Sequence, residues 1–225
     1  MKNIVNPRPE LDSAILEKFA ALKDVMSVSC VVGDSMERDG IMHSSMKMRS
    51  VNKPFIGPAY TVKLSSGFLA DCLAIFEYAK PGDVIVIDAF GDTETAIWGG
   101  LMSGLARNAG IVGAVIWGAV RDTDESRMLE FPLVSKSVTP REAHSALTQL
   151  FEPIELNCPV SCGGIIVNPG DIVVADEIGI SVVPYDQAEI VYEKAIKQAA
   201  GEEASRKDIL SGATVEELLK KYGRV

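Results

Sequence analysis

Arg121 and Asp122 stand at a place in the sequence where chemistry is expected. They directly follow residues 111–120, the longest uninterrupted apolar run of the chain. A run of this length without polar alternation predicts a strand buried on both faces, because a membrane-spanning helix needs about twenty apolar residues. Open α/β sheets bind their ligands at the C-terminal ends of such strands. We therefore expect Arg121 to offer its planar fork of donors to an anion, and Asp122 to offer a hard oxygen to a divalent cation.

A glycine-rich helix start precedes this strand and supplies a second anion-binding element. The segment opens with two glycines, and its apolar residues Ile97, Leu101 and Leu105 recur at helical spacing. The first N–H groups of a helix have no partner within the helix and lie at its positive dipole end. Four backbone amides are thus predicted to form one wall of an anion pocket: those of Gly99, Gly100, Leu101 and Met102. The residues alone equally allow a surface Arg–Asp ion pair beside glycines that only permit close packing.

Composition places the chain among globular proteins and argues against two kinds of partner. The 225 residues are 47% apolar and 24% charged, enough for one sizeable domain, 1–225, and short for two. The formal net charge of −9, without a basic stripe, argues against nucleic-acid binding. No apolar run follows the N-terminus, so we expect no signal peptide, no membrane anchor and a cytoplasmic location. The four cysteines are expected to be buried free thiols, because no second Cys or His pair completes a zinc site: Cys30, Cys72, Cys158 and Cys162.

Hydrophobic periodicity predicts an α/β protein with a β-rich C-terminal half. The spacing of apolar residues predicts helices over 11–24, 68–79, 123–129, 186–200 and 215–221. Short apolar or alternating segments predict strands over 54–64, 84–87, 111–120, 133–138, 164–167, 171–175 and 179–183. The glycines near residue 100 do not form the G-x-G-x-x-G fingerprint, so no dinucleotide site is expected.

The spacing of the candidate site residues resembles the signature of the RraA-like family. In this chain the pattern is Gly100, twenty residues, Arg121-Asp122, two residues, and Glu125. That family includes the divalent-metal 4-hydroxy-4-methyl-2-oxoglutarate aldolases and the oxaloacetate decarboxylases. Further segments resemble the family in the same order along the chain: 57–62, 81–88, 131–132, 139–140, 159–164 and 169–176.

The resemblance implies a fold, a chemistry and an assembly. The implied fold is a single-domain layered β/β/α sandwich of the swivelling-domain type. The implied activity is cleavage of a 2-oxo acid through a pyruvate enolate, with Asp122 binding Mg²⁺ or Mn²⁺. Arg121 and Glu125 are then catalytic residues, and Arg121 joins the four amides in binding the substrate. Family members are homo-oligomers, so we expect a trimer or a dimer of trimers with the site near a subunit boundary.

One departure from the family pattern and one competing function stay open. Some members carry an acidic residue where this chain has Gly100, and its absence favours decarboxylation over aldol cleavage. The family also includes regulatory proteins that inhibit ribonuclease E by surface contact without turnover.

Neighbouring charged residues also have two interpretations. Asp88, Asp92 and Glu94 could lie around a metal, or could be acidic residues attracted to a helix N-terminus. We favour the second interpretation for Asp92 and Glu94 and leave Asp88 open. Lys63 lies on the polar face of an alternating strand, so a solvated or ion-paired lysine is expected rather than a Schiff-base nucleophile.

Overall fold

Parallel strands form the centre of the fold in the computed structural model, which describes residues 2–64, 72–143 and 153–223. The strands of these residues are β1 (Ile4–Val5), β2 (Lys47–Met48), β3 (Phe55–Leu64), β4 (Val84–Asp88), β5 (Ala96–Trp98), β6 (Gly113–Val120), β7 (Leu133–Val138), β8 (Ile154–Leu156), β9 (Val160–Cys162), β10 (Ile165–Val167), β11 (Ile172–Ala175) and β12 (Ile180–Val183). The α-helices are α1 (Ser13–Ala20), α2 (Val28–Ser35), α3 (Ile75–Tyr78), α4 (Gly100–Asn108), α5 (Thr123–Met128), α6 (Ala188–Leu210) and α7 (Val215–Tyr222).

Ten of these strands form one mixed sheet. Its order is β1-β8-β3-β4-β6-β7-β2, with β5 beside β6, and with β11 and β12 on the β3 side. The central strands β3, β4, β6 and β7 run parallel, whereas β8 is antiparallel to β3 and β2 is antiparallel to β7. The carboxyl ends of β4, β6 and β7 therefore lie at one edge, as the sequence predicts for the site. Mixed strand directions distinguish this sheet from a parallel dinucleotide-binding sheet, which confirms the predicted fold class.

Apolar side chains pack in layers around the sheet. One face of the central strands packs against α3, α4 and the turn that follows α5. The other face packs against the β9–β10 hairpin and β12. A third cluster joins α1, α2 and α6 to β11 and to the start of β3. Because helices cover one face and further strands cover the other, both faces of the central strands are apolar, which accounts for the continuous apolar run of β6.

Two predicted elements differ from the structure. The alternation in β3 predicts a solvated polar face, but Thr61 is fully buried and donates its hydroxyl to the Cys158 carbonyl at 2.6 Å. The hairpin that covers this face removes Thr61 from water, while Lys63 at the strand end is exposed as predicted. The long helix α6 ends at Leu210 rather than at residue 200, so Gly201 lies inside the helix. A glycine costs a helix interior about 1 kcal/mol, and packing on α2 outweighs this cost.

Smaller corrections concern the cysteines and one helix. None of the four cysteines is in a disulfide, but Cys30 is exposed rather than buried. The predicted helix 68–79 lies partly outside the described residues, and its described part is a 3₁₀ turn over Cys72–Ala74 followed by α3. Among the described residues, no helix is both long and apolar enough to cross a bilayer.

Candidate active site

The short strand β5 brings the two predicted halves of the site together. It pairs with the C-terminal end of β6, through Ala96 opposite Ala119 and Trp98 opposite Val120. The Arg121 amide then donates to the Trp98 carbonyl at 2.9 Å. Helix α4 begins two residues after Trp98, so its first turn lies beside the residues that follow β6. The sequence predicted one pocket for these two groups but not the strand β5 that joins them.

Asp122 has an unusual backbone conformation that turns its carboxylate back toward α4. Its φ and ψ are 49° and 42°, in the left-handed region, which Asp tolerates better than most residues because its side chain is short and polar. Its Oδ2 accepts the Gly100 N–H at 3.2 Å and lies 3.4 Å from Arg121 Nε. Asp122 thus stabilises the N-terminus of α4. The predicted anion pocket is partly filled by this carboxylate, while the Leu101 and Met102 amides of the first turn have no acceptor among the described residues.

Arg121 lies between two carboxylates. Besides its approach to Asp122, its Nη2 donates to Oε1 of Glu142 at 3.3 Å. Both Arg121 and Glu142 are partly exposed. Sequence reasoning did not find Glu142, because residues 141–155 carry no periodic pattern that would place them.

The side chains of Asp122 and Glu125 pack closely against the paired glycines. A Cβ on Gly99 would lie 2.6 Å from Asp122 Oδ2. A Cβ on Gly100 would overlap the carboxylate of Glu125 and lie 2.8 Å from its Cγ. Glu125 therefore lies across the first turn of α4, occupying the space that a side chain at position 100 would need. The structure thus brings Arg121, Asp122 and Glu125 to one corner beside the first turn of α4.

Two buried serines join α4 to α5 beneath this corner. The hydroxyls of Ser103 and Ser126 are 2.8 Å apart, and the Trp98 indole N–H donates to Ser103 Oγ at 3.0 Å. Ser103 and Ser126 are fully buried, so this network fixes how the two helices that carry the site approach each other.

The profile of one known family, described as RraA-like: Aldolase/RraA, matches residues 29–182. The chain belongs to the RraA-like family. A protein of Halalkalibacterium halodurans, provisionally named a 4-hydroxy-4-methyl-2-oxoglutarate aldolase, is 40% identical over 179 residues, covering 79% of this chain and 82% of that protein.

Two solved structures share the RraA-like fold. A protein of Pseudomonas syringae pv. tomato superposes with a TM-score of 0.81 at 23% identity, covering 96% of this chain and 98% of the other. RraAS2 of Streptomyces coelicolor, described as an unusual member of the RNase ES inhibitor RraA protein family, superposes with a TM-score of 0.72 at 28% identity, covering 88% and 99%. These likenesses confirm the predicted family and fold.

The carboxylate of Asp122 fits a partly hydrated divalent cation as a metal ligand. Within the described residues, no three His, Cys, Asp or Glu side chains form a ready-made metal cage. Mg²⁺ does not require one, because it is commonly held by one or two carboxylates together with waters and substrate oxygens. Asp122 Oδ2 is engaged by Gly100, whereas no described residue donates to Oδ1. Asp122 thus retains one carboxylate oxygen for Mg²⁺ or Mn²⁺.

The other acidic candidates stabilise turns. Asp88 is buried and accepts the Phe90 N–H at 2.9 Å. Asp92 accepts the Glu94 N–H at 2.8 Å. Asp92 and Glu94 precede β5 rather than α4, so the assignment of both to a helix dipole is wrong. In the strand register Lys63 lies between Asp88 of β4 and Glu155 of β8, so a carboxylate flanks it on each neighbouring strand.

The two leucines of α4, Leu101 and Leu105, point away from the core. The helix predicted from the spacing of Ile97, Leu101 and Leu105 is present, but Ile97 belongs to β5 and Leu101 is 79% exposed. The buried positions of α4 are instead Gly100, Ser103 and Ala106. The helix uses small residues to approach α5 closely, which leaves Leu101 free to face outward.

Proposed function

We propose that this protein is a divalent-metal-dependent carbon–carbon lyase that cleaves 2-oxo acids through a pyruvate enolate. The observation that carries the proposal is the meeting of the Asp122 carboxylate, the Arg121 guanidinium and the first turn of α4 at one corner. A 2-oxo acid presents a carboxylate and an adjacent keto oxygen. The corner offers matching groups: free amides for the carboxylate, a guanidinium for developing negative charge, and a carboxylate for a hard cation.

Each residue has a distinct role in this proposal. The amides of Leu101 and Met102 bind the substrate carboxylate. Arg121 stabilises the charge that develops on the keto oxygen as the enolate forms. A divalent cation held by Asp122 would supply Lewis-acid stabilisation of the same charge. Glu125, across the first turn of α4, is placed to move a proton at the enolate carbon, directly or through water.

One enolate serves two cleavage reactions. In oxaloacetate, the bond between C3 and the distal carboxylate breaks and carbon dioxide leaves. The electron pair of the broken bond stays on C3 and forms the enolate of pyruvate. In 4-hydroxy-4-methyl-2-oxoglutarate, the 4-hydroxyl loses its proton, the C3–C4 bond breaks, and one pyruvate leaves together with one pyruvate enolate. Protonation at carbon completes both reactions. The position of Glu125 beside Gly100 supports the second reaction as well, because a carboxylate is present where some family members place an acidic residue.

The test is turnover of both substrates with added Mg²⁺, after subtraction of the metal-catalysed background without protein. We expect pyruvate release that EDTA abolishes. Asp122→Asn should lose this activity and keep its fold, because the amide oxygen can still accept the Gly100 N–H but lacks the charge that binds a hard cation. Full activity of Asp122→Asn would remove the metal mechanism, and borohydride trapping would then test Lys63 as a Schiff-base residue.

A regulatory function is the second candidate, since RraAS2 is described as belonging to a family of ribonuclease inhibitors. The acidic chain would bind a basic surface of a ribonuclease without turnover. Absence of turnover on both substrates, together with inhibition of ribonuclease E at stoichiometric protein, would favour this function.

We further propose that the protein is a homo-oligomer, a trimer or a dimer of trimers. The support is an apolar surface on α4 and α5 beside the candidate site, where Leu101 is 79% and Met128 is 85% exposed. Exposed apolar patches of this kind mark interaction surfaces. Light scattering should give a mass above the 24.2 kDa of one chain, and Met128→Lys should lower it. A monomeric mass for the unaltered protein would contradict the proposal.

A further inference from the structure

Glu142 contacts the guanidinium on which the proposed chemistry depends. Its Oε1 lies 3.3 Å from Nη2 of Arg121, while Asp122 Oδ2 lies 3.4 Å from Nε of the same group. The guanidinium is therefore approached by one carboxylate at Nε and by another at a terminal nitrogen. An arginine side chain carries five N–H donors in one plane, so these contacts leave further donors for a ligand.

The backbone fixes the separation of Arg121 and Glu142. The Ala96 amide donates to the Arg141 carbonyl at 2.8 Å, and the Ala143 amide donates to the Ala96 carbonyl at 3.2 Å. Glu142, between these two bonds, forms a parallel bridge with Ala96. Since the Arg121 amide is bonded to Trp98 of the same strand, β5 holds both partners at set positions.

The pair is better explained by orientation than by stability. The side chains of Arg121 and Glu142 are 33% and 50% exposed, and ion pairs at such exposure add little to folding stability. A long arginine side chain, by contrast, has many rotamers, and restricting them matters when its planar donors must match developing charge.

We propose that Glu142 is a positioning residue for Arg121. It holds the guanidinium so that its remaining donors face the ligand corner formed by Asp122 and the first turn of α4. The catalytic consequence rests on the proposed lyase function.

Two substitutions separate orientation from charge. Glu142→Gln keeps the length of the side chain and an oxygen that accepts from Nη2, whereas Glu142→Ala removes both. With oxaloacetate and Mg²⁺, we expect Glu142→Ala to lower kcat by roughly 10- to 100-fold with KM within about threefold, and Glu142→Gln to stay within about fivefold of the unaltered protein. Glu130→Gln, which changes an exposed carboxylate beyond the far end of α5, is the matched control and should change neither constant.

Three kinetic outcomes would overturn the proposal. An unchanged kcat in Glu142→Ala would show that Arg121 needs no second carboxylate. Equal losses in the Gln and Ala variants would assign the effect to charge rather than orientation. A lower KM in both variants would mean that Glu142 competes with the substrate for Arg121.

A readout independent of activity separates this proposal from the proposed function. The Nε–H resonance of Arg121 in ¹⁵N NMR spectra reports the conformation and hydrogen bonding of the guanidinium. It can be assigned by its loss in Arg121→Lys. We expect Glu142→Ala to shift or broaden it, Glu142→Gln to restore it largely, and Glu130→Gln to leave it unchanged. If the unaltered protein cleaves neither 2-oxo acid, the proposed function fails and this resonance alone decides the positioning role. A resonance unchanged in Glu142→Ala would refute that role.

Discussion

Replacing Gly100 by alanine should separate the stability of the protein from its activity. Gly100 is the first residue of α4, where alanine would favour the helix by up to about 1 kcal/mol. The added Cβ would overlap the Glu125 carboxylate, which is the far end of a flexible, exposed side chain. Glu125 can rotate away at little cost, so we expect the free energy of unfolding to change by less than about 1 kcal/mol. For a chain of this size that is a shift in Tm of no more than about 2–4 °C.

Activity should respond differently, because rotation moves the Glu125 carboxylate away from the first turn of α4. A positioned general acid or base is worth about 10²- to 10⁴-fold in rate. Gly100→Ala should therefore lower kcat by at least about 10²-fold, measured as pyruvate release from 4-hydroxy-4-methyl-2-oxoglutarate with Mg²⁺. In a Glu125→Ala background the same substitution should have little further effect, because the group that it displaces is already absent.

The matched control lies one turn along the same helix. A Cβ on Gly104 would meet only Leu129 Cδ1, at 3.8 Å, which is an ordinary contact. Gly104→Ala should raise the free energy of unfolding by about 0.5–1 kcal/mol and leave kcat unchanged. Full activity of Gly100→Ala, or additive losses in the double variant with Glu125→Ala, would refute the role assigned to Glu125. A loss of stability above about 2 kcal/mol would show that the backbone, rather than the carboxylate, gives way.

Three further predictions concern separate parts of the molecule. Arg121→Lys should lower kcat by about 10²- to 10³-fold with KM nearly unchanged, because an ammonium cannot reproduce the planar donors; a rise in KM alone would show that Arg121 only anchors the substrate. Tyr60 is buried, its hydroxyl lacks a hydrogen-bond partner among the described residues, and burial raises its pKa to about 12. Tyr60→Phe should therefore leave the free energy of unfolding in urea unchanged or raise it by up to about 1–2 kcal/mol. A decrease of that size would show that the Tyr60 hydroxyl does form a stabilising hydrogen bond. Asp208 accepts hydrogen bonds from Lys221 and Tyr222 of α7, which lower its pKa below the usual 3.8. The contribution of the Asp208 carboxylate to the packing of α7 should be complete above pH 3.8 and should be lost as the pH falls through the lower pKa of folded Asp208. The backbone amide chemical shifts of α7 measure this, and Asp208→Asn should remove the pH dependence.

The sequence predicted those parts of the fold that one segment determines by itself. The apolar run of β6, the strand β7 and the charged start of α5 fall at the predicted positions. The site corner was also predictable, because carboxyl ends of parallel strands meet at one edge and because Arg121 and Asp122 follow the most apolar strand.

Features that depend on contacts between distant segments were not predictable from the sequence. Leu101 fits a helical stripe with Ile97, but β5 ends between them, so the two residues belong to different elements. Glu142 reaches Arg121 only because its segment is bonded to β5. The close approach of Glu125 to Gly100 likewise depends on where α5 places Glu125, which no local pattern encodes.

The three residues of β5 make the site a single cooperative unit. This strand bonds to β6 on one side and to residues 141–143 on the other, and α4 starts directly after it. A local opening of β5 would release the anchor of Arg121, detach Glu142 and free the first turn of α4 in one event. The candidate site is therefore assembled or dismantled as a whole, and its lifetime depends on the hydrogen bonds of this strand rather than on any one side chain within it.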